Sequence, residues 1–191
     1  GCYLYDGEDS ADRVYHGWLG QICGGSYGTA LEGYTTGNLR RFFGERLNGY
    51  VKEPETYNDD ITFQIALLSA AERLEAGKEF SSYTIAEEWL RLIYFGWSAE
   101  YYALENLRRG IFPPASGSFR NAYSEWIGAQ MRTMVCGLLA PGDPVKAAHL
   151  AWLDSRISHT GNGIYAGIHS AAMTSLAFLM DDPRELLRES R

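Results

Sequence analysis

The chain has 191 residues, 46% of them hydrophobic and 21% charged, which are the proportions of a globular protein with a real core. Its formal net charge of −7 gives no general attraction to nucleic acid or to an anionic membrane surface, so neither is an expected partner. The three scattered cysteines and the absence of a membrane-length apolar run predict free thiols in the cytoplasm.

Apolar residues recur mainly at helical spacing along the chain. The first predicted helix runs into a glycine-rich segment and carries on one face Val14, Trp18, Ile22 and Cys23. Further helices are predicted at 39–47, 59–76, 84–95, 99–110, 123–139, 144–157 and 163–180, with Gly and Pro turns between them. Strand patterns are scarce. The sequence therefore predicts one compact all-α domain spanning 1–191, an orthogonal multi-helix bundle.

An acidic pair opens the longest apolar helix, in the segment Asn58-Asp59-Asp60. One interpretation is structural: Asn58 caps the helix, and the two acids complement its positive end. The other is a hard-cation site, because neighbouring carboxylates and an amide oxygen are ligands that magnesium accepts. Spacing alone favours the structural interpretation, and both stay open.

A single glutamate, Glu32, follows the first predicted helix and is flanked by glycines at 28 and 33. Most such residues are solvated loop acids. The functional alternative is a general base, or an acid that positions water, on a loop.

Two later segments combine small residues with a predicted helix start. The loop 116–121 precedes a helix containing Gly128, Met131 and Arg132, and the segment 158–165 contains Ser158-His159 and Gly161. Backbone N–H groups at such positions can bind a phosphate, and a nucleotide or ribose suits the second segment. The alternative in both places is an ordinary capped loop.

The order of these landmarks resembles the ADP-ribosylglycohydrolase family. The glycine-flanked Glu32 comes first, then Asn58-Asp59-Asp60, then Glu125 to Arg132, then Pro141-Gly142-Asp143-Pro144, and then Ser158 to Tyr165. The resemblance extends from residue 12 to residue 178. It corresponds to the N-terminal part of the family's all-α bundle and implies that C-terminal helices are missing.

The resemblance implies a hydrolase that cleaves the glycosidic bond between ADP-ribose and a protein side chain or related acceptor. The family uses two magnesium ions, for which Asn58, Asp59 and Asp60 match one cluster, with Glu32 as the assisting catalytic acid. The ADP-ribose-binding positions that match are Gly128, Met131, Arg132, Ser158, His159 and Gly161. The expected ligand is ADP-ribose or an ADP-ribosylated protein or small molecule.

The sequence departs from the family pattern in four places. Asn58 replaces the usual Thr, Ile61 stands where another Thr is common, and Ile127 stands where an Asn precedes the glycine. The second acidic cluster, Asp-x-Asp-Thr, has no counterpart, since Asp181-Asp182-Pro183 differs in spacing and residue type. At most half of the metal site is therefore expected.

Two other classes of function stay open beside the hydrolase. A catalytically inactive ADP-ribose or nucleotide-binding module would bind ligand without turnover and without magnesium dependence. A structural helical domain would pair with another chain, or with itself, through an uncovered apolar face.

Overall fold

The computed structural model describes residues 5, 7–45, 47, 49, 51, 58–75, 77 and 79–190. Residues 46 and 76, inside two of the predicted helices, and Cys2 lie outside the described residues. The backbone contacts divide the chain into two compact units, one formed by residues 9–58 and the other by residues 1–8 and 59–191. The prediction of a single domain spanning residues 1–191 stays a prediction.

The smaller unit contains two helices, α1 (Ser10–Thr29) and α2 (Thr36–Phe43). Helix α1 continues through the glycines at 24, 25 and 28, where the sequence pattern had placed a glycine-rich end. The backbone N–H of Asn38 donates to Oγ1 of Thr35 at 3.3 Å and caps α2. Glu32 lies exposed in the turn between the two helices.

The helices of the larger unit begin at the acidic pair. They are α3 (Asp59–Glu72), α4 (Ser82–Leu92), α5 (Ser98–Arg108), α6 (Ala115–Ser118), α7 (Gly128–Arg132), α8 (Met134–Leu138), α9 (Pro144–Ser155), α10 (Gly161–Leu176) and α11 (Pro183–Glu189). No strand occurs in the described residues, so the predicted all-α class is confirmed.

Local signals explain where several of these helices start. Ser81 and Thr84 form a reciprocal capping box at the start of α4. At α9, Asp143 accepts a hydrogen bond from the backbone N–H of Lys146, and Pro144 occupies the first helical position. The predicted helix over 123–139 is wrong in part, because the structure has turns up to residue 127 and then two short helices, α7 and α8.

Helix α10 lies at the centre of the larger unit and packs against α7, α8 and α9, while α3 packs against α4 and α7. Small buried residues on α9 and α10 allow the close approach, among them Ala147, Ala151, Ala171 and Ala172. None of the helices in the described segments has the length and apolar character that crossing a bilayer requires. Cys23 and Cys136 are both free thiols.

Candidate functional site

A buried arginine organises the centre of the larger unit. The guanidinium of Arg132, on α7, donates through Nη1 to Oε1 of Glu100 at 2.5 Å and through Nε to Oδ2 of Asp154 at 2.6 Å. Its Nη2 donates to Oγ of Ser158 at 2.9 Å and to the carbonyl oxygen of Asp154 at 3.3 Å. One side chain therefore joins α5, α7, α9 and the segment that precedes α10.

Two aromatic rings from α3 and α4 face the same guanidinium. The central carbon of Arg132 lies 4.8 Å from the ring centroid of Trp89 and 5.5 Å from that of Phe63. A guanidinium stacks on aromatic faces and is less strongly hydrated than an ammonium group, so arginine suits a buried ion pair. Arg132 is 1% exposed, and none of its charge is screened by solvent contact.

The two acidic partners experience opposing effects. Burial raises the pKa of Glu100 to about 7, although the positive charge of Arg132 acts to lower it. Burial also raises the pKa of Asp154, against the charge and the hydrogen bond of the same guanidinium. Removing these carboxyl groups from water costs more than the single cation returns, which is common for buried ion pairs.

The hydrogen-bond chain continues from Arg132 through Ser158 to a histidine. Oγ of Ser158 lies 2.7 Å from Nδ1 of His159, and both side chains are buried. Burial, together with the positive charge of Arg132, lowers the pKa of His159 to about 3. The imidazole is therefore neutral near pH 7, with its Nε2 at 4.0 Å from Oε1 of Glu100.

The first residue of α7 must be glycine because of Glu100. A Cβ atom built on Gly128 would lie 2.0 Å from Oε1 of Glu100 and 2.6 Å from its Cδ, both far inside van der Waals contact. The carboxyl group of Glu100 thus rests on the α-carbon of Gly128. A side chain at this position would force the Glu100 carboxyl group to move, and the pairing of that carboxyl group with Arg132 opposes the movement.

The N-terminus of α10 faces a carboxylate from a distant loop. The backbone N–H of Asn162 donates to Oε2 of Glu125 at 3.3 Å, and Thr160 donates from its backbone N–H to the carbonyl oxygen of Ser124 at 2.9 Å. Gly161 has a φ of +45°, which favours glycine, and its α-carbon abuts the Glu125 carboxyl group. The segments 124–125 and 160–162 are therefore held together.

The acidic pair lies at the start of α3, beside the buried cluster. Asp59 and Asp60 are both half-buried. Burial raises the pKa of Asp59, while backbone N–H groups of the helix start and the charge of Arg132 act to lower it. The charge of Asp59 in turn contributes to the raised pKa of Glu100, so Asp59 lies within electrostatic range of the cluster.

These contacts join the segments 128–132 and 158–161 and set the acidic pair beside them, in an all-α fold. A model of the ADP-ribosylglycohydrolase family matches residues 6–191. The chain belongs to the ADP-ribosylglycohydrolase family. No curated protein and no solved structure matches this chain. The family assignment confirms the resemblance predicted from the sequence, and with it a hydrolase of the ADP-ribosylglycohydrolase type.

Four of the predicted ADP-ribose-binding residues of this ADP-ribosylglycohydrolase belong to one connected cluster. Gly128 supports Glu100, while Arg132, Ser158 and His159 form the buried hydrogen-bond chain. Those three side chains are at most 1% exposed, so the protein surrounds them almost completely. Direct contact between them and a ligand stays a prediction.

The remaining predicted residues lie at three other places. Gly161 is exposed at the N-terminus of α10, and Met131 is half-buried on α7. Glu32 and Asn58 belong to the smaller unit, so their roles as catalytic acid and metal ligand stay predictions.

The structure also adds three polar residues that the sequence did not single out. Glu100 and Asp154 are buried partners of Arg132, and buried Asn121 donates from Nδ2 to the carbonyl oxygens of Ala99, at 3.1 Å, and Ser158, at 3.0 Å. A lone acid in an otherwise apolar helix is the only signal that the sequence offered for Asp154. Glu100 carried no such signal, because its neighbours Glu105 and Tyr101 make the helix look amphipathic.

Proposed function

We propose that this protein is a magnesium-dependent hydrolase that cleaves the glycosidic bond between ADP-ribose and a protein side chain or a related acceptor. One observation carries the proposal. The start of α3, with Asp59, lies within electrostatic range of the Arg132 cluster, and that cluster ties together the two segments expected to bind ADP-ribose.

Asp59 and Asp60 would hold the magnesium ion, with the amide of Asn58 as a third oxygen donor. The donor type fits, because magnesium prefers oxygen ligands, keeps several waters and often uses only one or two carboxylates. Burial disfavours the charge of Asp59, and a nearby divalent cation would restore it. When bound, such an ion acts as a Lewis acid and lowers the pKa of its water.

The chain's own residues would then perform binding and proton transfer. Glu32, exposed on the turn after α1, would orient or deprotonate the attacking water. Cleavage of a glycosidic bond passes through an oxocarbenium-like transition state, which nearby carboxylates stabilise.

Gly161 would offer its backbone to ADP-ribose at the N-terminus of α10. The base of the site would consist of Gly128, Met131 and Arg132. The segment that leads into α10 would be held in place by Ser158 and His159.

A second candidate is a binding module for ADP-ribose or a nucleotide without catalytic activity. One observation favours it. Within the described residues, no three His, Cys, Asp or Glu side chains are grouped so that together they could hold a metal ion. Such a module would bind ADP-ribose equally well with and without magnesium.

Calorimetric titration of ADP-ribose separates the two candidates. For the hydrolase we expect binding that magnesium strengthens and that Asp59→Asn weakens in the presence of magnesium. The matched control is Asp143→Asn, which removes a carboxylate at another helix start while Asn retains the cap. Binding indifferent to magnesium and to Asp59→Asn would support the module, and the absence of binding would contradict both candidates.

A further inference from the structure

The buried carboxyl group of Glu100 lies close to three residues of the predicted ADP-ribose site, Arg132, His159 and Gly128. Its Oε1 accepts a hydrogen bond from Arg132 at 2.5 Å, and the same atom lies 4.0 Å from Nε2 of His159. The carboxyl group also rests on the α-carbon of Gly128. Since Glu100 is only 3% exposed, these protein contacts replace its water.

The hydrogen-bond directions along the cluster follow from the donors and acceptors present. A guanidinium only donates, so Oγ of Ser158 accepts from Arg132. The neutral His159 has one protonated and one unprotonated ring nitrogen. If Nδ1 carried the proton, the unprotonated Nε2 would direct its lone pair toward the Glu100 carboxylate, which is repulsive at 4.0 Å.

The opposite arrangement avoids this repulsion and gives Ser158 and Nδ1 of His159 matching donor and acceptor roles. The Ser158 hydroxyl then donates to Nδ1 of His159 over 2.7 Å. The proton resides on Nε2, where the N–H faces the negative charge of Glu100. Within the described residues Nε2 has no hydrogen-bond partner, so this electrostatic contact is what distinguishes the two tautomers.

We infer that Glu100 is a positioning residue: its charge, which faces Nε2, holds His159 as the Nε2–H tautomer, and its contacts with Arg132 and Gly128 keep the Gly128 and Ser158 segments in place. This role requires no contact between Glu100 and a ligand. Its consequence for binding rests on the proposed function, because the two segments are those expected to hold ADP-ribose.

The test is nitrogen NMR of the histidine side chains in the ligand-free protein at pH 8, where Glu100 is ionised. We expect His159 to appear as the Nε2–H tautomer. Glu100→Gln keeps the shape and removes the charge, so the tautomer ratio is expected to shift toward Nδ1–H. Gly128→Ala displaces the same carboxyl group and is expected to shift the ratio in the same direction.

Glu88→Gln is the matched control. Glu88 is also buried, and it pairs with Arg91 and Arg73 in another part of the unit. Glu88→Gln is expected to leave the His159 signals unchanged. An Nδ1–H tautomer in the unaltered protein would overturn the inference without any variant, and so would a ratio that Glu100→Gln and Gly128→Ala leave unmoved.

ADP-ribose titration gives an independent second readout. We expect Glu100→Gln to weaken binding by about tenfold, the scale on which loss of a supporting contact acts, and Glu88→Gln to leave it unchanged. Unaltered affinity in Glu100→Gln would overturn the positioning role in binding. A protein that shows the Nε2–H tautomer yet binds no ADP-ribose would contradict the proposed function alone.

Discussion

Arg132 illustrates how much one buried residue depends on its partners. Its guanidinium has no solvent contact, and its hydrogen bonds go to Glu100, Asp154 and Ser158. A lysine would keep the charge but not the planar set of donors that reaches all three partners. At least one buried carboxylate would then lose its partner.

Arg132→Lys is therefore expected to lower the free energy of unfolding by about 3 kcal/mol or more, the usual cost of breaking a buried ion pair. Arg91→Lys is the control, because the Arg91 side chain is 45% exposed and such pairs contribute less than about 1 kcal/mol. Urea unfolding measures both. Equal losses in the two variants would contradict the role given to Arg132.

Glu100 and His159 impose opposite pH dependences on stability. Burial lowers the pKa of His159 to about 3, so this group makes the folded state less stable as the pH falls below 6.5. Burial raises the pKa of Glu100 to about 7, so its contribution is fully present below about pH 4.5 and is lost as the pH rises through 7.

Between pH 4.5 and 6.5 the two effects cancel in the unaltered protein. Glu100→Gln removes one of them, so its stability relative to the unaltered protein should fall by about 1.4 kcal/mol per pH unit on acidification. The other charged groups around the pair, Arg132, Asp154 and Asp59, are common to both proteins. Urea unfolding at several pH values measures the difference, and a difference independent of pH would contradict the assignment.

At the scale of elements, the contact between α5 and α7 depends on a glycine, Gly128, which has no side chain. Gly128→Ala places a methyl group against the buried carboxyl group of Glu100. We expect it to lower the free energy of unfolding by about 1–3 kcal/mol, the usual cost of overpacking. Gly110→Ala is the comparison, because Gly110 has a φ of +78° but open space around it, and the left-handed conformation alone costs an alanine about 1–2 kcal/mol.

Thermal and urea unfolding measure the free energy of unfolding of the two alanine variants. Gly128→Ala should also shift the environment of Trp89, which stacks on Arg132, and this is visible in tryptophan fluorescence. If Gly128→Ala left the free energy of unfolding and the tryptophan fluorescence unchanged, the close packing of α5 on α7 would be contradicted.

Helix positions were predictable from the sequence where a broad apolar face repeats over several turns. The helices predicted at 84–95, 99–110, 144–157 and 163–180 correspond to α4, α5, α9 and α10 with shifts of a few residues at their ends. The interruption between α7 and α8 was not predictable. There Thr133 is buried and donates to the carbonyl oxygen of Gly167, a tertiary contact that periodicity does not record.

The site was predictable as a set of landmarks but not as a set of contacts. The order of short motifs indicated the family, and the family model confirms it. The partners of Arg132 lie 32 and 22 residues before and after it, at Glu100 and Asp154. No local pattern links such distant positions, because only the packing of α5, α7 and α9 brings them together.

At the scale of the whole molecule, the larger unit exposes several aromatic side chains. Tyr94, Trp97, Trp126 and Tyr165 are between 55% and 88% exposed, and Phe95 contacts the Trp97 ring edge at a centroid distance of 4.7 Å. The sequence predicted an uncovered apolar face. Self-association or pairing with another chain through it stays a prediction.

The central claim concerns the protein as an enzyme, and its most direct test is the release of free ADP-ribose from an ADP-ribosylated protein. We expect release that requires magnesium, is lost in Asp59→Asn, and persists in the control Asp143→Asn. Both variants should unfold at similar urea concentrations, so that a loss of activity reports on the site. Tight binding of ADP-ribose without release, with or without magnesium, would contradict the hydrolase and leave the binding module.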